Sequence, residues 1–370
     1  MKNRGKARDV RSANSQQTGG RIVAIDLFCG AGGLAYGLKE AGIDVAAGVD
    51  MDPRCRFPIE ENCGAKFYER DVVGVSANDI KSWFGSAGIR VLAGCAPCQP
   101  FSTYTQSRKS QDSRWELLRS FQRLAVEALP DVVTMENVTG LASHSVWSEF
   151  VGALEAAKYH VKWAEVRSTD FGVPQKRKRL VLLASRLGPI ALPTPTHQDA
   201  PLTVKDVISW LPPIAAGQAD KRDRLHVASK LSATNMQRIK ASSPGGTWRD
   251  WAPGLRADCH QRETGATYPA VYGRMEWNKP APTITTQFYG FGNGRFGHPE
   301  QDRALSIREA AILQSFPPDY RFLPDEAKVA FRGLGILIGN AVPQNSHKRS
   351  EQPFARTLKR CVNVWRRCRS

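Results

Sequence analysis

Residues 21–33, with the sequence RIVAIDLFCGAGG, join an apolar, β-prone run to a glycine-rich turn. Residues 21–28 predict a buried strand, and the glycine-rich residues 29–33 end it. Glycine lets a backbone turn tightly and approach a ligand without a clash at Cβ. The next predicted strand ends at Asp50, and an acid about twenty residues past such a turn can accept both ribose hydroxyls of a nucleoside. The three features predict an adenosine-containing cofactor, either a dinucleotide or S-adenosylmethionine.

Strand-like and helix-like segments alternate through the first half of the chain. The predicted strands cover residues 21–28, 45–49, 89–93, 132–135, 161–166 and 180–184. The predicted helices cover residues 34–41, 115–129 and 146–157. Strands separated by helices of this length are typical of a parallel sheet with helices on both faces. The sequence therefore predicts an α/β fold built on a doubly wound, mostly parallel, Rossmann-like sheet.

The chain has 370 residues and a formal net charge of +17. This length allows a sizeable core and predicts two domains. Such an excess of positive charge is typical of proteins that bind a polyanion, most simply nucleic acid. The basic residues 1–20 are not followed by an apolar segment, so we expect a disordered basic arm and not a secretory signal. The sequence shows no apolar run long enough to span a membrane.

A second informative stretch is GCAPCQPFS at residues 94–102, which places Cys98 after a proline and shortly after a predicted strand. The carboxyl end of a strand directs side chains toward the ligand crevice of an open α/β sheet. A cysteine there can be a nucleophile, although roughly a few per cent of a free thiol is thiolate near neutral pH. We therefore expect Cys98 to depend on partner residues from elsewhere in the chain.

Cys95 and Cys98 also form a CxxC pair, which leaves a zinc or redox site as an alternative. A zinc site needs a second pair of ligands at compact spacing, and the other cysteines are spaced poorly for that. A redox pair normally opens a helix, whereas Pro100 and the preceding strand favour a loop. The eight cysteines are scattered, which indicates reduced thiols and not a disulfide scaffold. We expect no metal site.

Six motifs, in the same order along the chain, resemble those of the C5-cytosine DNA methyltransferases. They are DLFCGAGG at 26–33, the Cys98 loop, ENV at 136–138, QKRKR at 175–179, REAAILQSFP at 308–317 and GNAVP at 339–343. The resemblance implies S-adenosylmethionine as the cofactor and double-stranded DNA as the partner. It implies transfer of a methyl group to C5 of a flipped-out cytosine in a specific sequence.

The resemblance gives four residues of this chain catalytic roles. Cytosine C5 is a poor nucleophile, so the Cys98 thiolate would first add to C6 and form a covalent adduct. Glu136 would protonate or hydrogen-bond N3 of the ring, and a carboxyl group that donates at neutral pH needs a raised pKa. Arg177 and Arg179 would act near the carbonyl oxygen of the base and near the nucleophile loop. Alternation along an extended strand would point these two arginines the same way.

The resemblance also places the cofactor against the glycine-rich turn. Phe28 would stack on adenine, Asp50 would bind the ribose, and Asp71 would accept a hydrogen bond from the adenine amino group. The backbone of Gly30 and Gly32 would approach the methionine part. The remaining expected cofactor contacts are Met51, Val72, Pro97, Asn340 and Val342.

The α/β rhythm stops near residue 188. We expect a catalytic and cofactor-binding domain at 21–187, a smaller, loop-rich target-recognition domain at 188–330 and a return to the catalytic domain at 331–370. Arginine can read guanine in the major groove. The two candidate groove-facing loops, at residues 245–249 and 272–275, each carry an arginine. The expected DNA contacts are Gln99, Ser102, Gln175, Arg249 and Arg274.

Two features of the recognition segment leave an alternative open. Cys259 and His260 suggest a metal ligand pair, although no partner pair lies nearby and polar recognition-loop residues are the simpler interpretation. Trp248, Trp251 and Trp277 could stack on bases, but a small hydrophobic core is the favoured interpretation.

The chain departs from the family pattern at two places. Ala96 stands where many relatives carry proline, a change that should leave Cys98 in place. After Pro343 the family continues into an apolar helix, whereas this chain continues with QNSHKRS at 344–350 and an atypical basic tail. We expect this tail to pack poorly and to lower stability.

Three other functions stay open on the sequence alone. The same chemistry could act on RNA, and a DNA-binding protein could have lost catalysis through its tail. A nicotinamide-dependent oxidoreductase would leave Cys98, Glu136 and Arg177 unexplained. The family implies a cytoplasmic, nucleoid-associated monomer, either solitary or paired with a separate restriction endonuclease.

Overall fold

The computed structural model describes residues 20–97, 115–262, 265 and 267–343. Within them a seven-stranded sheet has the strand order β3-β2-β1-β4-β5-β7-β6. The strands are β1 (Ile22–Leu27), β2 (Asp44–Asp50), β3 (Lys66–Glu69), β4 (Ile89–Gly94), β5 (Val132–Asn137), β6 (His160–Arg167) and β7 (Lys178–Ser185). The first five pair in parallel, and β7 is antiparallel to β5 and β6. The predicted mostly parallel α/β sheet is confirmed.

The helices of the described residues lie mostly on the two faces of this sheet, whereas the helix at residues 233–240 packs in a separate small apolar cluster. The helices are α1 (Gly33–Glu40), α2 (Arg56–Pro58), α3 (Ala77–Phe84), α4 (Glu116–Ala128), α5 (Ser145–Ala156), α6 (Val204–Ile208), α7 (Ala233–Lys240), α8 (Ile307–Leu313) and α9 (Phe331–Gly339). None of the helices in the described ranges is long and apolar enough to cross a membrane.

Alternation along the strands builds two apolar clusters, one on each face of the sheet. In β1, Ala24 faces a cluster that also contains α1, α6, α8 and α9, whereas Ile25 faces a cluster that contains α3, α4 and α5. Successive side chains of a strand point to opposite faces, so a strand covered on both sides is apolar throughout. All six residues of β1 are accordingly buried.

The elements predicted from the sequence do not include β3 or α3, which both belong to the sheet and its flanking helices. β3 is four residues long and has one buried side chain, so its apolar signal is weak. α3 buries only Ile80 and Phe84 along its length. Its start carries a capping box, in which Ser76 and Asp79 bond each other's backbone amides, and that pattern was the available signal.

A buried ion pair anchors the start of α8. The Arg303 and Glu309 side chains are at most 1% exposed and form two bonds of 2.6 and 2.7 Å. Glu309 also accepts the backbone N–H of Ser306, which completes a capping box at the helix start. Burial alone would raise the pKa of Glu309, but the bonds and charge of Arg303 lower it to about 2. The carboxyl group is therefore ionised at neutral pH.

His298 packs beside this pair in its neutral form, and its pKa is lowered to about 4, mainly by burial. Its Nδ1 accepts the backbone N–H groups of Glu300 and Gln301 at 3.1 and 2.9 Å, so a proton there would break both bonds. The folded pKa lies below the ordinary value of 6.5, so this stability is complete above that pH and is lost as the pH falls toward 4.

The expected result is a pH-dependent loss of stability, on the order of 3 kcal/mol from His298 between pH 7.5 and pH 4. Urea unfolding at several pH values would measure the free energy of unfolding of the wild type and of His298→Gln. The variant should show the smaller decrease because its side chain does not titrate. Equal decreases in the two proteins would contradict this assignment.

Candidate functional site

The predicted catalytic and cofactor residues in the described ranges converge on one edge of the sheet. The carboxyl ends of β1, β2, β3, β4 and β5 share this edge, and the antiparallel β7 begins there. The edge carries Phe28, Gly30 and Gly32 after β1, Asp50 and Met51 at β2, Asp71 and Val72 after β3, Cys95–Pro97 after β4, Glu136 at β5, and Arg177 and Arg179 at β7. Cys98, Gln99 and Ser102 lie outside the described residues.

Glu136 is held through both carboxylate oxygens. Its Oε1 lies 2.7 Å from Nε of Arg179, and its Oε2 accepts a hydrogen bond from Sγ of Cys95 at 3.1 Å. The side chain of Glu136 is about one-tenth exposed, at 10%. A carboxylate fixed at both oxygens has a defined orientation toward the open edge of the sheet.

The contact of Cys95 with Glu136 is not predicted by the sequence, in which Cys95 is only the first half of a CxxC pair. Burial, followed by the nearby charge of Glu136, raises the pKa of its thiol well above the ordinary range. The thiol therefore keeps its proton and serves as a donor to Glu136. The CxxC spacing itself gives no indication of this contact.

The chain that leads into residue 98 is fixed by its neighbours. The side-chain amide of Asn137 donates to the carbonyl oxygen of Ala96 at 3.1 Å. The backbone N–H of Cys95 donates to Leu27 at 3.4 Å. Pro97, an expected cofactor contact, is exposed at this edge. The ends of β1, β4 and β5 are thus bonded to one another just before the predicted nucleophile in sequence.

Arg177 brings a buried positive charge to the same place. Burial, and next the charge of Arg179, lower the pKa of its guanidinium to about 10, so it remains protonated at neutral pH. Its Nε is buried and has no hydrogen-bond partner in the described parts of the chain. Burial alternates along this segment: Arg177 is buried, whereas Lys176 and Lys178 on either side are exposed. Such a donor suits an oxygen acceptor on a bound molecule.

The turn after β1 has the unusual backbone that its glycines predict. Gly30 and Gly32 have φ of 51° and 82°, and Phe28 has φ of 58° without being glycine. A non-glycine residue at positive φ is strained, and such strain clusters at ligand sites. Phe28 is half-buried and packs against the apolar cluster on one face of the sheet. The strain at Phe28 is an observation that favours a ligand at this turn.

Asp50 joins this turn to β2. Its Oδ2 accepts the backbone N–H of Gly30 at 3.0 Å, and its Oδ1 accepts that of Asp52 at the same distance. Burial raises the pKa of Asp50 above its ordinary value. Each carboxylate oxygen has a second lone pair, so both can still accept from a ribose hydroxyl. The geometry fits the predicted ribose contact.

Three further features fit an adenosine-containing molecule. Met51 is 71% exposed, although it is a large apolar side chain. Asp71 caps the short helix that begins at Val72, and its Oδ1 accepts the backbone N–H of Val73. A Cβ placed on Gly30 would meet nothing within 4 Å, so the space in front of the turn is open. An exposed apolar surface, an acid and an open glycine turn suit a nucleoside with a flexible tail.

The segment after α9 lies against this turn. A Cβ on Gly33 would be 2.5 Å from the carbonyl oxygen of Val342, so the close approach requires glycine. Asn340 is exposed at the end of α9. The Gln314 side chain fixes the segment by donating to the carbonyl oxygens of Ile338 and Ala341, both at 2.9 Å. The predicted return of this segment to the cofactor edge matches its position.

Asp26 is a second residue whose structural contact the sequence did not reveal. It lies under the turn, 1% exposed, and its Oδ2 accepts the backbone N–H of Ala35 in α1 at 3.1 Å. Burial raises its pKa to about 7. The motif that contains Asp26 was recognised, but its burial depends on the packing of α1.

The structure contradicts the prediction that Gln175 contacts DNA. The side chain is fully buried at 0% exposure. Its Nε2 donates to the carbonyl oxygen of Leu313 and to Oε1 of Gln314, and its Oε1 accepts the backbone N–H of Ile284. Every one of these partners lies more than 100 residues away in sequence, so Gln175 bonds distant segments of the chain to each other inside the core.

The prediction of a groove-facing Arg274 is also wrong. Its guanidinium is buried and donates to the carbonyl oxygens of four residues and to the carboxylate of Asp302. The four carbonyl groups are those of Ile239, Ser242, His298 and Gln301. Arg274 therefore holds loops together and cannot reach a groove. Arg249, by contrast, is exposed beside the ring of Trp248.

Trp248 and Trp251 pack as the core interpretation predicts, whereas Trp277 is partly buried against the main apolar cluster. Trp248 and Trp251 are 4% and 2% exposed and belong to a small apolar cluster with Ile239 and Phe291. The ring of His260 stacks on Trp248 with a centroid distance of 4.3 Å. In the described ranges there is no group of three or more histidine, cysteine or acidic side chains able to hold a metal ion.

Comparison with known proteins gives concordant results. The family of C-5 cytosine-specific DNA methylases matches residues 22–349. The Type II methylase M.HgiDII of Herpetosiphon aurantiacus is 46% identical, over 86% of this chain and 91% of that protein. The Type II methyltransferase M1.HphI of Haemophilus parahaemolyticus is 30% identical, over 87% of this chain and 83% of that protein.

Solved structures share the fold of this chain. A crystal structure from an E. coli prophage, described as a DNA modification methyltransferase, superposes with a TM-score of 0.70 at 24% identity. It covers 92% of this chain and 99% of its own. DNMT2 of Spodoptera frugiperda superposes with a TM-score of 0.60 at 17% identity, over 92% of this chain and 99% of its own.

Proposed function

The chain belongs to the C-5 cytosine-specific DNA methylase family and is a DNA (cytosine-5) methyltransferase, and from this premise we propose how its residues perform the reaction. The target cytosine leaves the base stack, at a cost of about a few kcal/mol, and enters the edge of the sheet where the catalytic residues converge. The Cys98 thiolate attacks C6, which makes C5 nucleophilic. After methylation, water removes the C5 proton as the Cys98 thiolate is eliminated from C6, which restores the C5–C6 double bond.

Glu136 and Arg177 prepare the base for this attack. Glu136, fixed by Arg179 and Cys95, hydrogen-bonds or protonates N3, so that the electron pair displaced by the sulfur has a place to go. Arg177 donates to the carbonyl oxygen of the base, where negative charge also accumulates. Preorganised donors at developing charge are usually the largest single contribution to catalysis. Arg179 has a positioning role in this scheme because its Nε is engaged by Glu136.

We infer that S-adenosylmethionine is the methyl donor, held by the turn after β1. When bound, it supplies an electrophilic methyl group. Asp50 binds the ribose, Phe28 and Met51 contact the adenine, and Asp71 accepts from its amino group. The expected contacts at Val72, Pro97, Asn340 and Val342 border the same edge, and the strained turn, the exposed Met51 and the open space at Gly30 support this assignment.

Recognition of the DNA sequence belongs, in this proposal, to the loops between residues 188 and 330. Arg249 is the remaining arginine of the predicted set with an exposed position, and it is placed to read a guanine or contact a phosphate. Gln99 and Ser102, next to the nucleophile in sequence, are proposed contacts to the flipped nucleotide. The similarity to Type II methylases supports a role in protecting host DNA within a restriction-modification system.

The observation that supports this function most directly is the cluster of Cys95, Glu136, Arg177 and Arg179 at the sheet edge that immediately precedes the predicted nucleophile in sequence. Cytosine-resolution methylation sequencing of DNA from a methylation-free host that expresses the chain tests the proposal. Methylated cytosine in one short sequence context is the expected result. Unmethylated DNA despite folded protein, or methylation confined to RNA, would overturn it.

Replacing Glu136 with glutamine is expected to lower the rate of methyl transfer about 10²-fold. Glutamine keeps the size of the side chain but cannot deliver a proton to N3. Single-turnover transfer of a labelled methyl group to a cognate duplex measures the effect. Glu155→Gln, the same change at an exposed position near the end of α5, is the control and should retain the wild-type rate. A Glu136→Gln rate within threefold of wild type would exclude proton transfer from Glu136 to N3.

A further inference from the structure

The carbonyl group of Ala31, in the middle of the glycine turn, has an unusual hydrogen-bond partner. α1 begins at Gly33, so the backbone N–H of Ala35 is among the first donors of the helix, which have no acceptor within it. Instead it donates to Oδ2 of Asp26 at 3.1 Å. The carbonyl oxygen of Ala31, which precedes the helix, accepts a hydrogen bond from the hydroxyl of Tyr320 at 2.5 Å. A side chain from 289 residues later thus completes the turn.

Tyr320 is held rigidly where it makes this bond. Its side chain is 1% exposed, and its ring packs against the rings of Tyr36, Phe316 and Phe322 with centroid distances of 5.4, 4.6 and 5.0 Å. Its backbone carbonyl accepts from Nη1 of Arg308 at 3.0 Å. Burial also raises the pKa of its hydroxyl well above the ordinary value, so the group stays a donor.

The hydroxyl also touches the glycine that follows. A Cβ on Gly32 would lie 2.9 Å from it, so the oxygen stands against the turn at the point where φ is positive. Aromatic packing alone does not require this oxygen, because phenylalanine would fill the same space. The hydroxyl is needed for the carbonyl of Ala31, since a buried acceptor without a donor is unfavourable.

We infer that Tyr320 is a positioning residue for the cofactor: its hydroxyl fixes the Ala31 peptide and thereby the orientation of the turn that binds S-adenosylmethionine. The inference rests on the proposed cofactor site. Without the hydroxyl, the Ala31 carbonyl rotates toward another donor and carries with it the adjoining peptide units of the turn. The cofactor then meets a turn that must reorder before it binds. Affinity for the cofactor falls, whereas the chemistry at Glu136 does not change.

The test is Tyr320→Phe in the full-length chain, with S-adenosylmethionine affinity measured by calorimetry. We expect the Kd to rise about tenfold, which corresponds to one buried hydrogen bond. The KM for S-adenosylmethionine should rise similarly, with kcat and the Kd for duplex DNA within about twofold of wild type. A general packing defect would change all of these values together.

Tyr159→Phe is the matched control. The hydroxyl of Tyr159 is also buried and donates to a backbone carbonyl, that of Pro130, at 2.6 Å. That bond lies before β5, at the opposite end of the sheet from the turn. Both variants should lose a similar amount of thermal stability, and Tyr320→Phe alone should weaken cofactor binding.

Each result has a defined meaning. If the wild type binds S-adenosylmethionine and Tyr320→Phe binds it within twofold of wild type, the positioning role is wrong. Equal weakening in both variants would also reject it, because the effect would then follow from any lost buried hydroxyl. A wild type that does not bind S-adenosylmethionine would overturn the cofactor proposal, and this inference with it.

Discussion

Alanine in place of Cys98 is expected to abolish methyl transfer, whereas alanine in place of Cys95 is expected to leave at least about a tenth of the rate. The two cysteines are three residues apart in the sequence, and either could be taken for the nucleophile. Cys98 lies outside the described residues, so the choice rests on its motif and on what the structure shows of Cys95. Loss of a covalent nucleophile should slow the reaction by at least about 10⁴-fold.

Cys95 is unsuited to nucleophilic attack for two reasons. Burial and the charge of Glu136 raise the pKa of its thiol, so the thiolate is scarce at neutral pH. Its Sγ also points at Oε2 of Glu136, at 3.1 Å. Cys95→Ala therefore removes one weak hydrogen bond to the carboxylate, which is worth about 1 kcal/mol. Cys95→Ser should restore most of the lost rate because a hydroxyl can donate to the same oxygen.

Single-turnover methyl transfer to a cognate duplex compares these variants, with S-adenosylmethionine binding as the check on folding. Both alanine variants should bind the cofactor. An inactive Cys95→Ala beside an active Cys98→Ala would reverse the assignment and make Cys95 the nucleophile. Activity in both would exclude covalent catalysis by this loop.

Arg303→Met is expected to lower the free energy of unfolding by about 3–5 kcal/mol at neutral pH, because it leaves the Glu309 carboxylate buried without its partner. Arg303 is 0% exposed, and its Nε also donates to Ile214 and Gln301. In the wild type, Arg303 lowers the pKa of Glu309 to about 2. In the variant that pKa rises above its ordinary value, so the deficit grows with pH between 4 and 8.

Arg321→Met is the control for this change. Arg321 pairs with Glu61 on the surface, and both side chains are about two-fifths exposed, at 41% and 40%. Exposed pairs contribute roughly 0–1 kcal/mol. Urea unfolding of the two variants at pH 5 and pH 8 separates the cases. If Arg303→Met costs no more than Arg321→Met, or if its deficit does not grow with pH, the buried pair does not have the importance that we assign to it.

The fold and the catalytic edge were readable from the sequence because each rests on a local pattern. Apolar runs ended by glycine or by an acid gave the strands and placed Asp50 and Glu136 at their carboxyl ends. Alternation between Gln175 and Arg179 gave the shared orientation of Arg177 and Arg179, and the structure shows both beside Glu136.

The errors share one physical cause. An arginine or glutamine in a polar loop has the same sequence signature whether it faces DNA or bonds buried carbonyl groups. Gln175 and Arg274 do the latter, and their partners lie up to 139 residues away in sequence. The contact of Cys95 with Glu136 likewise depends on how β4 and β5 pair. Distances of this kind along the chain leave no periodic pattern to detect.

The hydrogen bonds of Gln175 and Arg308 limit how recognition loops could be exchanged between methyltransferases to change their target sequence. In a hybrid of two such enzymes, Gln175 and its partners Ile284, Leu313 and Gln314 should come from the same protein, because their side chains and backbone groups bond one another. Arg308, from the other side, needs the carboxylate of Asp223, which lies inside the expected recognition domain. A hybrid that imports foreign recognition loops is therefore expected to keep these contacts only if the donor supplies an acid at position 223 and the imported segment stops short of residue 284.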